Sequence, residues 1–378
     1  MLFLKLIKCI LTIAIFAVFF AGSVFASDVN VSAESAILID GKTGTVIFEK
    51  NARQRRSMAS TTKIMTAVVA INASSMDDVV TVKPEYTKVE GSSMYLNPGE
   101  KLSMEELLNG LLLMSGNDAA KTIAGYISGD DASFAGLMNK EAQKIGLNDT
   151  HFDNPSGLDG ETHYTTAFDM AKLSRYAMND VKGFAEIVSR ERYKGENRLI
   201  INHNKFLAIY GGACGIKTGF TKKSGRCLVT GAERNGSFLI AVTLNAPDDW
   251  NDHKKMMDAG FSEYKDIEFF KKGEEILRIP VVSGKDKEVS VTAAEDAALK
   301  MLPQDIDEAE TNITGRKFVY AGIKSGDIYG YVHITVNGND VMEIPLIYAE
   351  DIELREDTGF FDNIFKNMIE FANTIKFW

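Results

Sequence analysis

The stretch STTKIMTAVVAINA, Ser60 to Ala73, sets Ile64, Met65, Val68 and Ile71 at offsets of three and four, the spacing of one face of an α-helix. It opens on Ser-x-x-Lys, Ser60 to Lys63, and a separation of three turns both side chains to the same side of the first helical turn. A serine hydroxyl is a poor nucleophile until a neighbouring base takes its proton. An amine can be that base when burial and nearby positive charge depress its pKa. A helix N-terminus adds backbone N–H groups where an oxyanion would form. The same four residues also read as an N-cap serine followed by a surface lysine, and so short a motif does not choose between the two. Its surroundings must.

Upstream, AILIDGKTGTVIFEK (Ala36 to Lys50) reads as two apolar strands around a Gly-rich turn at Asp40 to Gly44. That turn carries a Lys-Thr-Gly triplet, Lys42 to Gly44. A phosphate loop would need Gly where Ala36 stands, so turn chemistry accounts for it. Downstream, SMEELLNGLLLM offers Ser103 and Glu106 as a capping box and Leu107, Leu108, Leu111 and Leu112 as a buried stripe. It ends at SGND, Ser115 to Asp118. AAKTIAGYI is helical again, which puts Ser115 to Asn117 in a short interhelical loop. FDNPSGLDG is turn-rich, and TTAFDMAKLSRYAM is a helix capped by Thr165 or Thr166.

Strand signals return in ACGIKTGF, GRCLVTGAE and SFLIAVTLNA, and the first of these holds a second Lys-Thr-Gly, Lys217 to Gly219. Two early strands, a helical middle and three late strands imply one sheet built from both ends of a domain, with helices packed on it. The helical DHKKMMDAGFSEY closes that unit. Beyond it, ILRIPVV, KEVSVTA, KFVYAGI, IYGYVHITV and VMEIPLIYA are short strands between Gly, Asp and Asn turns, an all-β module. The organisation expected is a signal segment at 1–26, a catalytic α/β (α+β) domain at 27–270, a smaller all-β domain at 271–355 and an amphipathic helix at 356–378.

The signal segment rests on Lys5 and Lys8, the apolar run from Ile10 to Phe20, and Val24 and Ala26 as small residues at a cleavage site. A membrane anchor is the rival reading, but the apolar run is short for a span. The whole chain has a formal net charge of −10, and its first 26 residues carry two lysines and no acid. So acidic a chain repels phosphate backbones, which argues against a nucleic-acid partner. Past the signal only Cys214 and Cys227 remain, too few for a disulfide scaffold, and they read as a pair or as two buried thiols. His151, His163, His203, His253 and His333 are scattered, with no metal-binding spacing, so neither metal nor cofactor is expected.

Ser-x-x-Lys at 60, Ser-Gly-Asn at 115 and Lys-Thr-Gly at 217 stand in the order of the motif set of penicillin-binding proteins and serine β-lactamases. With EGSSMYLNPGEKLSMEELLNGLLLMSGNDAA, GLDGETHYTTAFDMAKL and GIKTGFTKKSGRCLV, the chain resembles the low-molecular-mass penicillin-binding proteins of the serine D-alanyl-D-alanine carboxypeptidase family from about Ala36 to Ala349. The resemblance implies a serine β-lactamase/transpeptidase-like fold followed by a β-rich domain. It implies Ser60 as the acylated nucleophile, Lys63 as its proton acceptor and Ser115 as the relay to the leaving D-alanine. It assigns Asn117 to the substrate backbone, Lys217 and Thr218 to the terminal carboxylate, Gly219 to close approach and the Phe220 N–H to the oxyanion. The implied partners are peptidoglycan pentapeptide stems ending in D-Ala-D-Ala and β-lactam antibiotics. His163, Asp169 and Asn204 also match the family pattern, but by themselves read as packing, capping and loop hydrogen bonds.

A secreted β-lactamase shares the acylation chemistry but requires a glutamate in an E-x-x-L-N loop after the middle motif. EELLN, Glu105 to Asn109, precedes Ser115 and lies on the capped helix. A catalytically inactive wall-binding protein would keep the fold, yet every motif residue is present. At the C-terminus, Phe361, Ile364, Phe365, Met368, Phe371, Ala372, Ile375 and Trp378 fall on one apolar face. That helix packs on its own domain or lies in a membrane interface; its Phe content and closing Phe377 and Trp378 suit the interface. Together with the resemblance, they imply an exported protein held at the outer face of the cytoplasmic membrane.

Overall fold

The structure, a computed structural model, describes residues 29–196 and 198–355 together with Ile364, Met368 and Ile369. The expected signal segment and nearly all of the expected C-terminal helix lie outside the described residues. Two compact units emerge, the first reaching Lys265 and taking up Lys300–Asp307, the second made of Asp266–Leu299 and the chain from Glu308 onward. The first unit thus ends a few residues before the position read from the sequence, and it recovers a short segment later. The physical reason lies in that segment: Leu302 is fully buried with Met256 and Met257, and Asp305 accepts a hydrogen bond from Thr45 Oγ1 on the first hairpin.

The main sheet of the first unit is antiparallel and lies between two helical layers. Strands β1 (Ser35–Asp40), β2 (Val46–Lys50), β3 (Ala213–Thr221), β4 (Gly225–Arg234) and β5 (Ser237–Leu244) lie in the order β2-β1-β5-β4-β3. The late hairpins therefore pair with the early one, as the pattern of strand signals requires, and β3 is an edge. The inner strands are buried on both faces, so they read as nearly unbroken apolar runs. Their alternation still shows: Ile37, Ile39, Ile240 and Val242 join one core cluster, while Ala36, Leu38, Leu239 and Ala241 join the other.

On one face pack α1 (Lys63–Ala73), α2 (Met104–Leu113), α3 (Asn117–Ser128), α4 (Asp131–Ile145) and α5 (Ala167–Asp180). On the other packs α6 (Asp249–Ser262), through Met256 and Met257. Helix α1 departs from the amphipathic reading, because every residue from Lys63 to Ala70 is buried. It is a central helix sheathed by the others, which is why its surroundings can desolvate a lysine. Ser103 Oγ caps α2 at Glu106 N and Thr166 Oγ1 caps α5 at Asp169 N.

The first Lys-Thr-Gly is a turn. Asp40 Oδ1 accepts from the amides of Lys42 and Thr43, and Gly44 takes φ +81°. Both cysteines are free, since Cys227 stands opposite Gly219 in the β3/β4 ladder while Cys214 lies at its other end beside Gly231. The second unit is an all-β sheet of β6 (Glu275–Val282), β7 (Glu288–Ala293), β8 (Ala309–Thr314), β9 (Val319–Tyr320), β10 (Ile328–Val336) and β11 (Asn339–Tyr348), ordered β8-β10-β11-β7-β6-β9. Its core includes Val289, Val291, Val332, Ile334, Ile344 and Leu346. Strand β8, AETNIT, carries too few apolar residues to announce itself and forms because β10 offers it an edge.

Candidate active site

The chain enters α1 through a one-turn 3-10 helix, Ala59–Thr62. Ala59 has φ +46°, a conformation that non-glycine residues seldom adopt. The turn is held by Thr61 Oγ1 donating to Met58 O at 2.6 Å and Thr62 Oγ1 donating to Ala59 O at 2.8 Å. Behind it, Asp153 N donates to His163 Nδ1, so the proton of this neutral imidazole sits on Nε2, 2.8 Å from Thr62 Oγ1. Burial holds His163 down at about 4.

Lys63 has no solvent exposure. Its Nζ lies 3.1 Å from Ser60 Oγ and 2.7 Å from Asn117 Oδ1, and it also donates to Ser156 O. The last two partners can only accept: Ser156 O is a carbonyl, and the Asn117 amide is oriented by Nδ2 donating to Glu90 O at 2.6 Å. A neutral amine has two N–H bonds and one lone pair. With both N–H groups committed to obligate acceptors, the lone pair faces Ser60 Oγ, and the hydroxyl becomes the donor. Burial, then the charge of Lys217, pushes the Lys63 pKa well below that of an ordinary lysine, with Asp118 opposing. The site can therefore hold a base against a serine hydroxyl.

Lys217, on edge strand β3, is also buried, and its Nζ donates to Thr218 O at 3.0 Å. Burial brings its pKa down to about 7. At Gly219 a Cβ would stand 3.0 Å from Ser60 N and 3.2 Å from Ala59 Cβ, so the missing side chain lets the strand lie against the turn that carries Ser60. Phe220 follows with an exposed ring. Ser115, at φ +63°, is buried, and its Oγ has no hydrogen-bond partner among the described residues. A buried hydroxyl left unpaired is costly, and such groups gather at functional sites.

These residues open into one cleft of about 610 Å³, lined by Ser60, Ser115, Asn117, Thr218, Gly219 and Phe220. The structure brings together every site residue named from the sequence. The Asn117 amide, engaged at both ends by Lys63 Nζ and Glu90 O, also positions Lys63. Two contributors escaped the sequence reading. Ser156 supplies a main-chain carbonyl from a loop visible only as a turn. Asp118, fully buried, accepts from Ser93 Oγ and from the amides of Met94 and Leu96, fixing the cleft wall. His163, read from the sequence as packing, buttresses Thr62. A carbonyl carries no side-chain signature, and the Asn-x-x-Gly spacing of Asn154 and Gly157, whose N–H donates to Asn154 Oδ1 at 2.8 Å, was the only hint of a rigid turn. The EELLN match has a structural use, since Arg190 Nη1 donates to both Glu105 Oε1 and Asn109 Oδ1.

Residues 23–248 match the D-alanyl-D-alanine carboxypeptidase family of peptidases. The chain belongs to that family. It is a hydrolase of the carboxypeptidase class. Residues 264–354 match the C-terminal domain of penicillin-binding protein 5. The chain is 32% identical to D-alanyl-D-alanine carboxypeptidase DacF of Bacillus subtilis over 93% of its length and 95% of that protein. It is also 32% identical to DacC of Escherichia coli, covering 92% of each chain. The crystal structure of penicillin binding protein 5 from Haemophilus influenzae aligns with a TM-score of 0.62 at 27% identity, over 86% of this chain and 98% of that one.

Gly157 shows how tightly the serine turn is supported. It has φ +87°, and a Cβ there would stand 2.0 Å from Ala59 O. Gly157→Ala is expected to displace the turn and to slow covalent labelling by a fluorescent penicillin about tenfold or more without removing any functional group, because sub-ångström misplacement of reacting atoms is costly. Stopped-flow labelling of the folded variant measures it.

Proposed function

We propose that this carboxypeptidase removes the terminal D-alanine from peptidoglycan pentapeptide stems through an acyl-enzyme on Ser60, and that β-lactams acylate the same hydroxyl. The observation that carries the reading is the position of Lys63 Nζ, 3.1 Å from Ser60 Oγ, with Asn117 Oδ1 and Ser156 O as acceptors for its N–H bonds. Lys63 takes the hydroxyl proton as Oγ attacks the scissile carbonyl, and the N–H groups of Ser60 and Phe220 receive the developing oxyanion. Ser115, whose hydroxyl has no partner among the described residues, relays that proton from Lys63 to the departing amine of D-alanine, which returns Lys63 to its neutral form. The ester on Ser60 is then hydrolysed, with Lys63 again the group able to activate water. Lys217 in its charged form, with Thr218, holds the terminal carboxylate. No cofactor or metal enters this scheme.

The reading extends to location. Lys5, Lys8 and the apolar run to Phe20 support export, and the Phe-rich C-terminal pattern supports attachment to the outer face of the cytoplasmic membrane. Among the described residues no helix is long and apolar enough to cross a membrane. Surface attachment needs none.

Ser60→Ala is expected to abolish both covalent penicillin labelling and D-alanine release from a pentapeptide; full labelling of the folded variant would end the assignment. The pH profile has a definite sign. Lys63 must be neutral, so kcat/KM falls toward acid as it gains a proton. Lys217 must be charged, so kcat/KM falls as pH rises through about 7. A bound carboxylate favours the charged amine, so the alkaline limb of kcat lies at higher pH than that of kcat/KM. Finally, a chain ending at Glu356 is expected to keep its activity and stay in solution, while the chain running to Trp378 sediments with anionic liposomes. Equal partitioning refutes the anchor.

A further inference from the structure

The sheet of the second unit has two edges, and they are unlike. One is β9, only two residues long. The other is β8, whose six residues pair with β10 without a break in register, from Ala309 opposite Val336 to Thr314 opposite Tyr331. In an antiparallel ladder alternate residues turn their N–H and C=O groups away from the neighbouring strand. Among the described residues no further strand pairs with that outer side of β8. Soluble proteins usually blunt such an edge with lysine, proline or a bulge. AETNIT has none of the three, and every residue from Glu310 to Phe318 is exposed. The inner face of this edge is also unfinished. Ile313 stands opposite Val332 and Thr311 opposite Ile334, on the face whose β10 side chains are wholly buried, yet Ile313 is 45% exposed. A strand laid outside β8 would cover it.

The charges choose the strand. Asp307 and Glu308 lead into β8 and Arg316 and Lys317 lead out of it, all four exposed, so its two ends carry opposite charge. An antiparallel copy of the same strand meets acid with base at both ends. A two-fold axis through an antiparallel pair passes between a residue and its own copy, so each register is fixed by its central residue. Centring on Glu310 sets two carboxylates face to face, which is unfavourable. Centring on Thr311 sets Glu308 and Asp307 opposite Thr314 and Gly315, short of the basic residues, and centring on Ile313 leaves half of β8 without a strand partner. Centring on Asn312 sets Thr311 opposite Ile313 and Glu310 opposite Thr314, and brings Glu308 and Asp307 level with Arg316 and Lys317 of the other copy. We infer that β8 is a self-complementary docking edge on which a second copy of this chain adds its own β8 antiparallel, about a two-fold axis at Asn312, so that two sheets become one. The second strand supplies the missing backbone partners and places its Thr311 beside the half-exposed Ile313. A single strand pair is a small interface, so the association is reversible and concentration-dependent. No residue of β8 lines the cleft that holds Ser60, which keeps pairing and hydrolysis separable.

The test measures self-association of the full-length chain in non-ionic detergent by analytical ultracentrifugation over roughly 1 to 100 μM, the span in which small reversible interfaces dissociate. A monomer–dimer equilibrium is expected. Arg316→Glu and Glu308→Arg each remove the charge match at both ends of the symmetric pair and should weaken the dimer about tenfold, whereas the double variant R316E/E308R restores it. Register is read by oxidative cross-linking. In Asn312→Cys the two thiols stand on Cα atoms about 4.5 to 5.5 Å apart, within reach of a disulfide, while in Glu310→Cys they are about 14 Å apart. Only the first should give a covalent dimer, and neither change should slow penicillin labelling. A wild-type chain that stays monomeric throughout the range overturns the inference. So does a dimer indifferent to both single charge reversals, a double variant no tighter than the singles, or cross-linking at position 310 equal to that at 312.

Discussion

Everything at this site depends on keeping two amines out of water within one small volume. Lys63 and Lys217 are both buried, and the charge of Lys217 makes that of Lys63 harder to hold. A buried ammonium without a carboxylate partner is unfavourable, and the favourable response is loss of a proton. What decides the chemistry is how each residue is surrounded. Lys63 is gripped by two acceptors that consume its N–H bonds and leave one lone pair toward Ser60. Lys217 has a single main-chain acceptor, and its pKa near 7 leaves it able to carry charge when an anion arrives.

That arrangement requires a scaffold able to desolvate the first turn of a helix. A surface helix leaves its first turn wet. Here α1 runs through the centre of the helical layer with every residue from Lys63 to Ala70 buried, and the sheet closes over its N-terminus from the side. The closure is made by a strand with no side chain at the point of contact, Gly219, and by a loop with none at its own, Gly157. A methyl group at Gly157 would occupy space already taken by Ala59 O, and one at Gly219 would press on Ser60 N at 3.0 Å. The strained φ values of Ala59 and Ser115 lie at the same place, where packing from several directions over-determines the backbone.

The cleft has a polarity that follows from β3 being an edge. Its unpaired side faces the cleft, so a peptide laid along it meets Lys217 and Thr218 at one end and Phe220 and Thr221 at the other, with Ser60 between. The deep cation at Lys217 is enclosed and tunable, which suits a contact that must coexist with a neutral Lys63.

Much of this was legible in the chain itself. Strand alternation in β1 and β5, the capped helices, and the order of Ser60, Ser115 and Lys217 specify a sheet assembled from both ends of a domain with three motifs meeting at its edge. The separation of the two Lys-Thr-Gly triplets was equally readable, because Asp40 and Gly44 belong to a turn and the apolar flanks of Lys217 to a strand. These are local properties, written in side-chain type and spacing. What only the tertiary structure decided is non-local: that Ser156 lends a carbonyl to Lys63, that Asn117 is engaged at both ends of its amide, and that Leu302 and Asp305 return to the first unit. A backbone carbonyl has no sequence signature, and a buried lysine is spelled the same way as an exposed one. The difference between them is made by residues up to 154 positions apart, such as Lys63 and Lys217, brought together only when the sheet closes.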